Sequence, residues 1–239
     1  MRWKLKLISI CAILLGASSS VLAASDGAAK PELPLTARGN EPGWIATLDG
    51  GRISFRTVDD GTTVEGALPE PTAKGETWHY AADTIDLAVG ITPVVCRDTM
   101  TGMPSPLTVT VTTGAKTFNG CGGEPVSLLA GPAWRVTRIG DAAVPEDVYV
   151  SLEFDATKTS VFGSSGCNRY FGGFTLTGEG FSFQRGMAGS MMACEEHKSQ
   201  IEASFLSAME KIDRFDIDAD GGLVLISSDS PSIMATRSK

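Results

Sequence analysis

The sequence contains few of the side chains that build catalytic or metal sites. It has only two histidines, His79 and His197, and none of its five cysteines lies in a C-x-x-C pair. Structural zinc sites usually draw on such close pairs, so the sequence disfavours zinc. A serine hydrolase is disfavoured too, because a cysteine follows Gly163–Gly166 where the G-x-S-x-G pattern needs glycine. We therefore assign no catalytic residue, no metal ligand and no cofactor.

Basic residues are also scarce. The chain has 20 Lys and Arg against 28 Asp and Glu, a formal charge of −8. The first 23 residues contain three of the basic residues, Arg2, Lys4 and Lys6, and no acidic one, so 17 basic and 28 acidic residues follow, a charge near −11. Nucleic acids bind through counterion release at basic surfaces, and so acidic a chain gains little from it, so a nucleic-acid partner is disfavoured.

The hydrophobic run near the start of the chain is too short to span a membrane. It covers Leu7–Gly16, about ten residues, whereas a spanning helix needs about 20. Basic residues precede it and small residues ending at Ala23 follow it, the pattern of a cleaved secretory signal. Ile10 before Cys11 disfavours a lipoprotein. We predict a signal peptide at 1–23, no membrane span after cleavage, and a soluble periplasmic protein.

Cleavage would remove Cys11 and leave four cysteines, an even number typical of disulfides in an exported protein. Four cysteines allow three connectivities. Their spacing separates an early pair from a late pair, and we favour Cys96–Cys121 and Cys167–Cys194. Paired cysteines would leave no thiolate for nucleophilic catalysis.

Residues 24–36 show no periodicity and are predicted to be a flexible leader. Residues 37–126 alternate apolar and polar side chains with a period of two, which is typical of half-buried antiparallel strands. No helical period appears, so this block is predicted to be an all-β module. Its clearest alternating runs contain Ile53 and Phe55; Ile85, Leu87 and Val89; and Leu107, Val109 and Val111.

Residues 130–232 are predicted to form a second β module, joined to the first within Pro125–Pro132. A helix is predicted at about Glu195–Arg214, where apolar residues recur at i, i+4, i+8 and i+11. The fold class is therefore mainly β, and α+β in the second domain. We expect two small antiparallel β-barrel or roll domains, the C-terminal one with a single packed helix. The other predicted elements are a strand with Val148, Val150, Leu152 and Phe154, and hairpins turning at Gly178–Gly180 and Asp220–Gly222.

Two groups of residues could be read either as metal ligands or as ordinary structural residues. The Asp216–Gly221 segment copies the start of a calcium loop, but Ser227 stands where the bidentate glutamate is required, and a hairpin turn is favoured. Thioethers suit Cu(I), but methionine also fills gaps in protein cores, and core packing is favoured. The methionines concerned are Met100, Met103, Met187, Met191 and Met192.

The second block resembles the META domain of the HslJ-like family over about residues 130–230. The resemblance is carried by Trp134–Val136, Gly166–Gly173 and Met187–Glu195, followed by a helix and Leu223–Leu225. It implies a β-roll with one helix. It also implies a link to heat-inducible expression, to tolerance of drugs such as novobiocin, and to secretion or motility. The family supplies no catalytic residue that could be transferred to this sequence.

The first block resembles an uncharacterised bacterial envelope module of the GNEPxW, C-x-D-x-M and GCGG type. The matching segments are Gly39–Trp44, Cys96–Pro104 and Phe118–Gly122. Related sequences usually have an aromatic residue at the position of Gly43 and a serine at that of Thr99 or Thr101. The resemblance implies a small antiparallel barrel or roll beside the second module.

These observations favour a non-enzymatic exported META-domain protein of the bacterial envelope. It would act in envelope stress, heat or antibiotic tolerance by binding another envelope component. The alternative is a periplasmic inhibitor or a protein that binds a small ligand, and copper handling is a weaker third. A monomer is expected. The predicted contact residues are loop groups that we expect to be exposed: Arg97, Asn119, Asn168, Arg169 and Tyr170.

Overall fold

The computed structural model describes residues 29–228 and 230–238. The predicted signal peptide, residues 1–23, lies outside these residues. The described chain is mostly β, with 51% strand and 10% helix, in two curled or nearly closed antiparallel sheets with one helix in the C-terminal part. The predicted fold class is confirmed. No helix in residues 29–228 and 230–238 is both long and apolar enough to cross a membrane.

The N-terminal half contains eleven strands, which are β1 (Leu35–Asn40), β2 (Gly43–Asp49), β3 (Arg52–Thr57), β4 (Thr63–Ala67), β5 (Thr72–Lys74), β6 (Thr77–Ala82), β7 (Leu87–Thr92), β8 (Cys96–Arg97), β9 (Pro104–Ser105), β10 (Leu107–Thr113) and β11 (Lys116–Gly122). Nine of them form one sheet in the order β4-β3-β2-β1-β11-β10-β7-β6-β5. The other two, β8 and β9, pair with each other as a separate hairpin.

The alternation in this half is confirmed on strands β3, β7 and β10. Their inward-facing residues are buried together with Trp44 in the hydrophobic core of the N-terminal half, the first core. Trp44 is the largest side chain of that core. Two boundaries differ from the prediction. β1 begins at Leu35, inside the predicted leader, because Leu35 is buried in that core. Ile85 lies in a 3-10 turn, Asp83–Ile85, because Asp86 adopts a left-handed conformation (φ 50°) that ends the turn before β7 starts.

A four-residue helical turn, α1 (Val126–Leu129), joins the two halves. The C-terminal half contains ten strands and one longer helix, which are β12 (Trp134–Ile139), β13 (Ala142–Ala143), β14 (Ser151–Asp155), β15 (Ser160–Ser164), β16 (Arg169–Leu176), β17 (Phe181–Phe183), β18 (Ala188–Gly189), α2 (Glu196–Met209), β19 (Arg214–Ile217), β20 (Leu223–Ser227) and β21 (Ser230–Arg237). The sheet order is β17-β16-β15-β14-β12-β21-β20-β19, with β13 on β12 and β18 on β16. The Phe181 amide donates to the Asp213 carbonyl at 2.9 Å and so links the two ends of the sheet.

The predicted helix is confirmed, but it ends at Met209 instead of Arg214. Phe205, Met209 and Ile212 are buried in the second core, as the apolar stripe predicted. From Arg214 the chain forms strand β19, in which Phe215 and Ile217 are buried and their neighbours are not. The apolar residues therefore recur with the period of two of a strand there, and not with the helical period. The predicted hairpins β16–β17 and β19–β20 are both present.

The predicted joint is held firmly against the C-terminal half. Leu129 is fully buried in the second core, and its carbonyl accepts a hydrogen bond from the Trp134 indole at 2.9 Å. The Arg237 guanidinium stacks over the Trp134 ring at 3.7 Å. It also donates to the carbonyls of Ala130 and Pro132, both at 2.6 Å. These contacts fix residues 126–132 to β12 and β21.

Candidate functional site

The three N-terminal segments that the sequence singled out lie together. The Asn40 amide donates to the Asp98 carboxylate at 2.9 Å and to the Thr99 hydroxyl at 3.1 Å. Cys96 and Cys121 are paired at disulfide distance, with Cα atoms 5.4 Å apart, as predicted. The segment 96–105 is therefore attached at two points to the strands β1 and β11.

Glycine is required where β1 and β11 pass Trp44. A Cβ on Gly39 would lie 2.2 Å from the Trp44 indole nitrogen, and one on Gly120 would lie 2.1 Å from the Arg38 carbonyl oxygen. Both distances are far inside van der Waals contact, so no larger residue fits without movement of the backbone. Gly39 and Gly120 thus serve the packing of Trp44.

The hairpin β8–β9 reaches from the N-terminal half to the C-terminal half. The Arg97 guanidinium donates to both oxygens of Asp216, at 2.9 and 3.0 Å, and to the Ile217 carbonyl at 2.8 Å. Met103, at the other side of the hairpin, is buried in the core of the C-terminal half. Arg97 was predicted as a binding residue, but its guanidinium is occupied by β19. The two halves are joined by a salt bridge and by a buried side chain.

A cleft of about 430 Å³ lies beside this hairpin. Its walls come from both halves and from the segment that joins them. The N-terminal half contributes Arg38 and Ser105, the joining segment contributes Glu124, and the C-terminal half contributes Phe174 and Leu176. Sequence reasoning could not find it, because the cleft exists only where the halves meet.

Asn168 is the centre of a hydrogen-bond network in the C-terminal half. Its backbone and side-chain N–H groups donate to the two oxygens of Glu202 on α2, at 2.8 and 3.0 Å. Its side-chain oxygen accepts from the Ser190 hydroxyl at 2.8 Å and from the Met192 amide at 2.7 Å. Cys167 and Cys194 are at disulfide distance beside it, with Cα atoms 5.9 Å apart, as predicted. Asn168 thus ties three segments of the chain together.

The network holds Glu202 as a carboxylate. Partial burial alone would raise the pKa of Glu202, but the hydrogen bonds from Ser165 and from the side chain and backbone of Asn168 outweigh it and lower the pKa below its ordinary value near 4.5. A carboxyl whose pKa is lowered on folding stabilises the protein above its unfolded pKa. That stabilisation is lost as the pH falls through the folded value.

Glu202→Gln is therefore expected to be less stable than the parent at pH 7, and the difference is expected to shrink as the pH falls below 4.5. Urea unfolding of both proteins between pH 7 and pH 3 measures this. Glu196→Gln is the matched control, because Glu196 lies exposed on the same helix. A stability difference that stayed constant with pH would contradict the assignment of Glu202 as the titrating group.

The structure divides the remaining predicted contact residues into two groups. Asn119 and Arg169 are exposed, as expected. Asn168 and Tyr170 are buried, so the expectation that they are exposed is wrong. The polar groups of the Asn168 side chain are already hydrogen-bonded within the protein. The Tyr170 side chain points into the core, where its hydroxyl donates to the Ser151 carbonyl at 2.9 Å. Burial raises the pKa of Tyr170 well above its ordinary value.

Phe171 is an exposed aromatic residue that the sequence analysis missed. It is 57% exposed, and the register pairs it with Phe162 on β15 and Ala188 on β18. Because successive residues of a strand face opposite sides, the buried Tyr170 directs Phe171 outward. The signal was present in the sequence as two adjacent aromatics in a strand, of which only one can face the core.

Basic side chains lie beside Phe171, and one acidic residue, Glu153, is paired with Phe162 in the same cross-strand row. A hollow of about 400 Å³ beside it is lined by Arg169 and Phe162, and another of about 390 Å³ is lined by Lys158 and Arg185. Lys158 forms a salt bridge with Asp155 at 3.1 Å. Arg169 and Arg185 form no ion pair within residues 29–228 and 230–238. We call Phe162, Phe171, Arg169 and Arg185 the aromatic–basic surface.

The expectation that the methionines pack in cores is only partly correct. Met103 is buried and Met187 packs against the second core. Met191 is 99% exposed, and Met192 and Met100 are exposed as well. In the short segment between β18 and α2, Asn168 bonds the Ser190 hydroxyl and the Met192 amide, and the side chains of Met191 and Met192 lie in solvent.

The Asp216–Gly221 segment forms a hairpin turn, as favoured from the sequence. The Asp218 carboxylate accepts hydrogen bonds from the amides of Asp220 and Gly222, at 3.0 and 2.7 Å. Asp216 faces Arg97 instead of the turn. In the described part of the chain, no group of three or more His, Cys, Asp or Glu side chains is arranged to hold a metal ion.

The fold and these sites define a class of protein: a two-module β protein in which a disulfide and an asparagine network attach one helix to a curled C-terminal sheet. The family model of the META domain matches residues 127–239, which confirms the predicted resemblance of the C-terminal half. The match supports a family of envelope-associated proteins. No comparison tests the predicted resemblance of the N-terminal half.

One solved structure is similar to part of the chain. It is the NMR structure of a protein from Burkholderia xenovorans, with 29% sequence identity over 47% of this chain and 86% of that one, and a TM-score of 0.40. No curated protein matches the chain.

Proposed function

We propose that the protein is an exported, non-enzymatic binding protein of the bacterial envelope. In this proposal it contributes to tolerance of heat or antibiotics by binding another envelope protein. Two disulfides support export, because disulfides persist in oxidising compartments such as the periplasm. The observation that carries the binding function is the aromatic–basic surface of the META half.

The chemistry of this surface indicates the kind of partner. Phe171 offers a large apolar contact that is not covered within the protein, and aromatic residues and arginine are the side chains most enriched at binding hot spots. Arg169 and Arg185 form no ion pair with any residue that the structure describes, and they lie on a chain with a net charge of −8. Such a local reversal of charge favours a partner segment that carries acidic residues around an apolar one. We therefore assign the surface to an acidic segment of a second envelope protein.

The test is a deletion strain challenged with heat and with novobiocin. The strain is expected to lose viability, and the wild-type protein to restore it. Phe171→Ser and the double variant Arg169→Gln/Arg185→Gln are expected not to restore it, although both accumulate in the periplasm. Val58→Ser is the matched control, since Val58 is as exposed as Phe171 but lies in the other half.

Photo-crosslinking in living cells locates the contact. A photoreactive residue at position 171 is expected to give one discrete adduct that disappears with Arg169→Gln/Arg185→Gln, whereas position 58 is expected to give none. Unchanged survival of the deletion strain would overturn the role in tolerance. Retention of the protein in the cytoplasm with residues 1–23 intact would overturn export. An adduct that does not depend on the arginines would overturn the acidic partner.

A further inference from the structure

The cleft between the two halves has the dimensions of a small-ligand site. Its volume of about 430 Å³ lies within the range of roughly 300–1,000 Å³ typical of small-molecule pockets. Its lining contains none of the four residues of the aromatic–basic surface, although β16 contributes to both, and Thr159 also lines the hollow beside Lys158. A ligand here would be independent of the partner proposed above.

Polar groups without a partner face this cleft. Ser105 is only 9% exposed, yet its hydroxyl makes no hydrogen bond within residues 29–228 and 230–238. A hydroxyl that lines a cleft and has no partner in the described chain is free to donate to a ligand or to accept from one. The Arg38 guanidinium and the Glu124 carboxylate also line the cleft, and neither forms an ion pair with a described residue.

The other walls are apolar. Met103, Val126, Phe174 and Leu176 line the cleft, and the side chains of Met103 and Phe174 belong to the second core. These walls are fixed by the fold, because the hairpin that holds Met103 is bound to β11 by a disulfide and to β19 by Arg97. A preformed apolar wall with a few polar groups is the usual composition of a small-molecule site.

The charges of the lining limit the class of ligand. Arg38 is its one cation, and Asp98 and Glu124 are its two anions. Asp98 is already engaged by Asn40 and by the amides of Met100 and Thr101. One free cation and one free anion suit a ligand that carries both charges, and the two carboxylates disfavour a phosphate ester.

We propose that this cleft binds a small zwitterion with an apolar body, of the class of apolar amino acids and dipeptides. The ligand carboxylate bonds Arg38 and the Ser105 hydroxyl, and its ammonium group faces Glu124. Its apolar side chains contact Met103, Phe174 and Leu176. Because the walls come from both halves, the ligand bridges them.

The test is calorimetric titration of the full exported chain with the dipeptide Leu-Phe at millimolar concentrations. Binding is expected, and it is expected to weaken for acetyl-Leu-Phe, which lacks the ammonium group, and for Leu-Phe-amide, which lacks the carboxylate. Arg38→Gln is expected to lower the affinity for Leu-Phe roughly tenfold or more, and Ser105→Ala roughly threefold to tenfold. Arg56→Gln, an exposed arginine outside the cleft, is expected to change nothing.

Ser105→Ala keeps the test decisive, because it removes a hydroxyl that has no partner and is not expected to disturb folding. Absence of Leu-Phe binding overturns the proposal. Equal affinity for the three peptides overturns the assignment of the two charges. Binding that Arg38→Gln and Ser105→Ala leave unchanged overturns the location. None of these results bears on the crosslink from position 171, so the two proposals fail separately.

Discussion

Replacing Asn168 with alanine is expected to destabilise the protein by about 1–3 kcal/mol, because a buried side chain that makes three hydrogen bonds is lost and one Glu202 oxygen loses its partner. The substitution removes the partner of one Glu202 oxygen, of the Ser190 hydroxyl and of the Met192 amide. Asn168 is only 8% exposed, so water cannot readily replace the lost side chain. Urea unfolding at pH 7 measures the effect.

Asn119→Ala is the matched control for this experiment. Asn119 is exposed, and its side chain accepts one hydrogen bond from Thr110 at 3.3 Å. Its removal is expected to change the stability by less than about 0.5 kcal/mol, as surface substitutions usually do. Equal losses for the two variants would show that the Asn168 network does not stabilise the fold. Asn168→Asp adds a second test, since it places a carboxylate beside Glu202 and should destabilise more at pH 7 than at pH 4.

Met103→Ala is expected to cost about 2–4 kcal/mol, the usual range for truncation of a buried methionine. Met103 belongs to the N-terminal segment 96–105 but is buried in the C-terminal core, at 6% exposure. The loss should therefore appear as faster hydrogen exchange in β19, against which β9 lies, while exchange in β2 and β3 stays unchanged.

Met100→Ala controls for the methionine itself. It lies on the same hairpin and is 76% exposed, so its truncation is expected to leave the stability within about 0.5 kcal/mol of the parent. If Met103→Ala destabilised β2 and β3 as strongly as β19, the contact between the halves would not be the one that the structure shows.

Local patterns predicted the elements well. The alternation around Phe55, Val89 and Val111 indicates strands because successive side chains of a strand face opposite sides, and the same residues form the first core. The helix stripe predicted the burial of Phe205 and Met209. Ile85 shows the limit, since it fits the alternation but lies in a turn set by Asp86.

Contacts between distant segments were not predictable from the same patterns. Asn168 and Tyr170 were expected at the surface as loop residues, yet Asn168 is bonded to the helix and Tyr170 to β14, and both are buried. Arg237 shows no periodic or motif signal, although it makes four carbonyl contacts with residues 128–132. The cleft, the Arg97–Asp216 pair and the position of Met103 all depend on how the two halves meet.

The pairing of β12 with β21 has a consequence for the order in which the protein matures. β12 opens the C-terminal sheet and β21 comes last in it, so the sheet stays open during synthesis until residues 230–237 have emerged. Long-range strand pairing of this kind is slow, and it leaves apolar edges uncovered meanwhile. The N-terminal half has its own sheet, completed at Gly122, and can fold first. The C-terminal sheet is thus the later of the two to be completed during synthesis, although the N-terminal sheet also pairs its first strand, β1, with its last, β11.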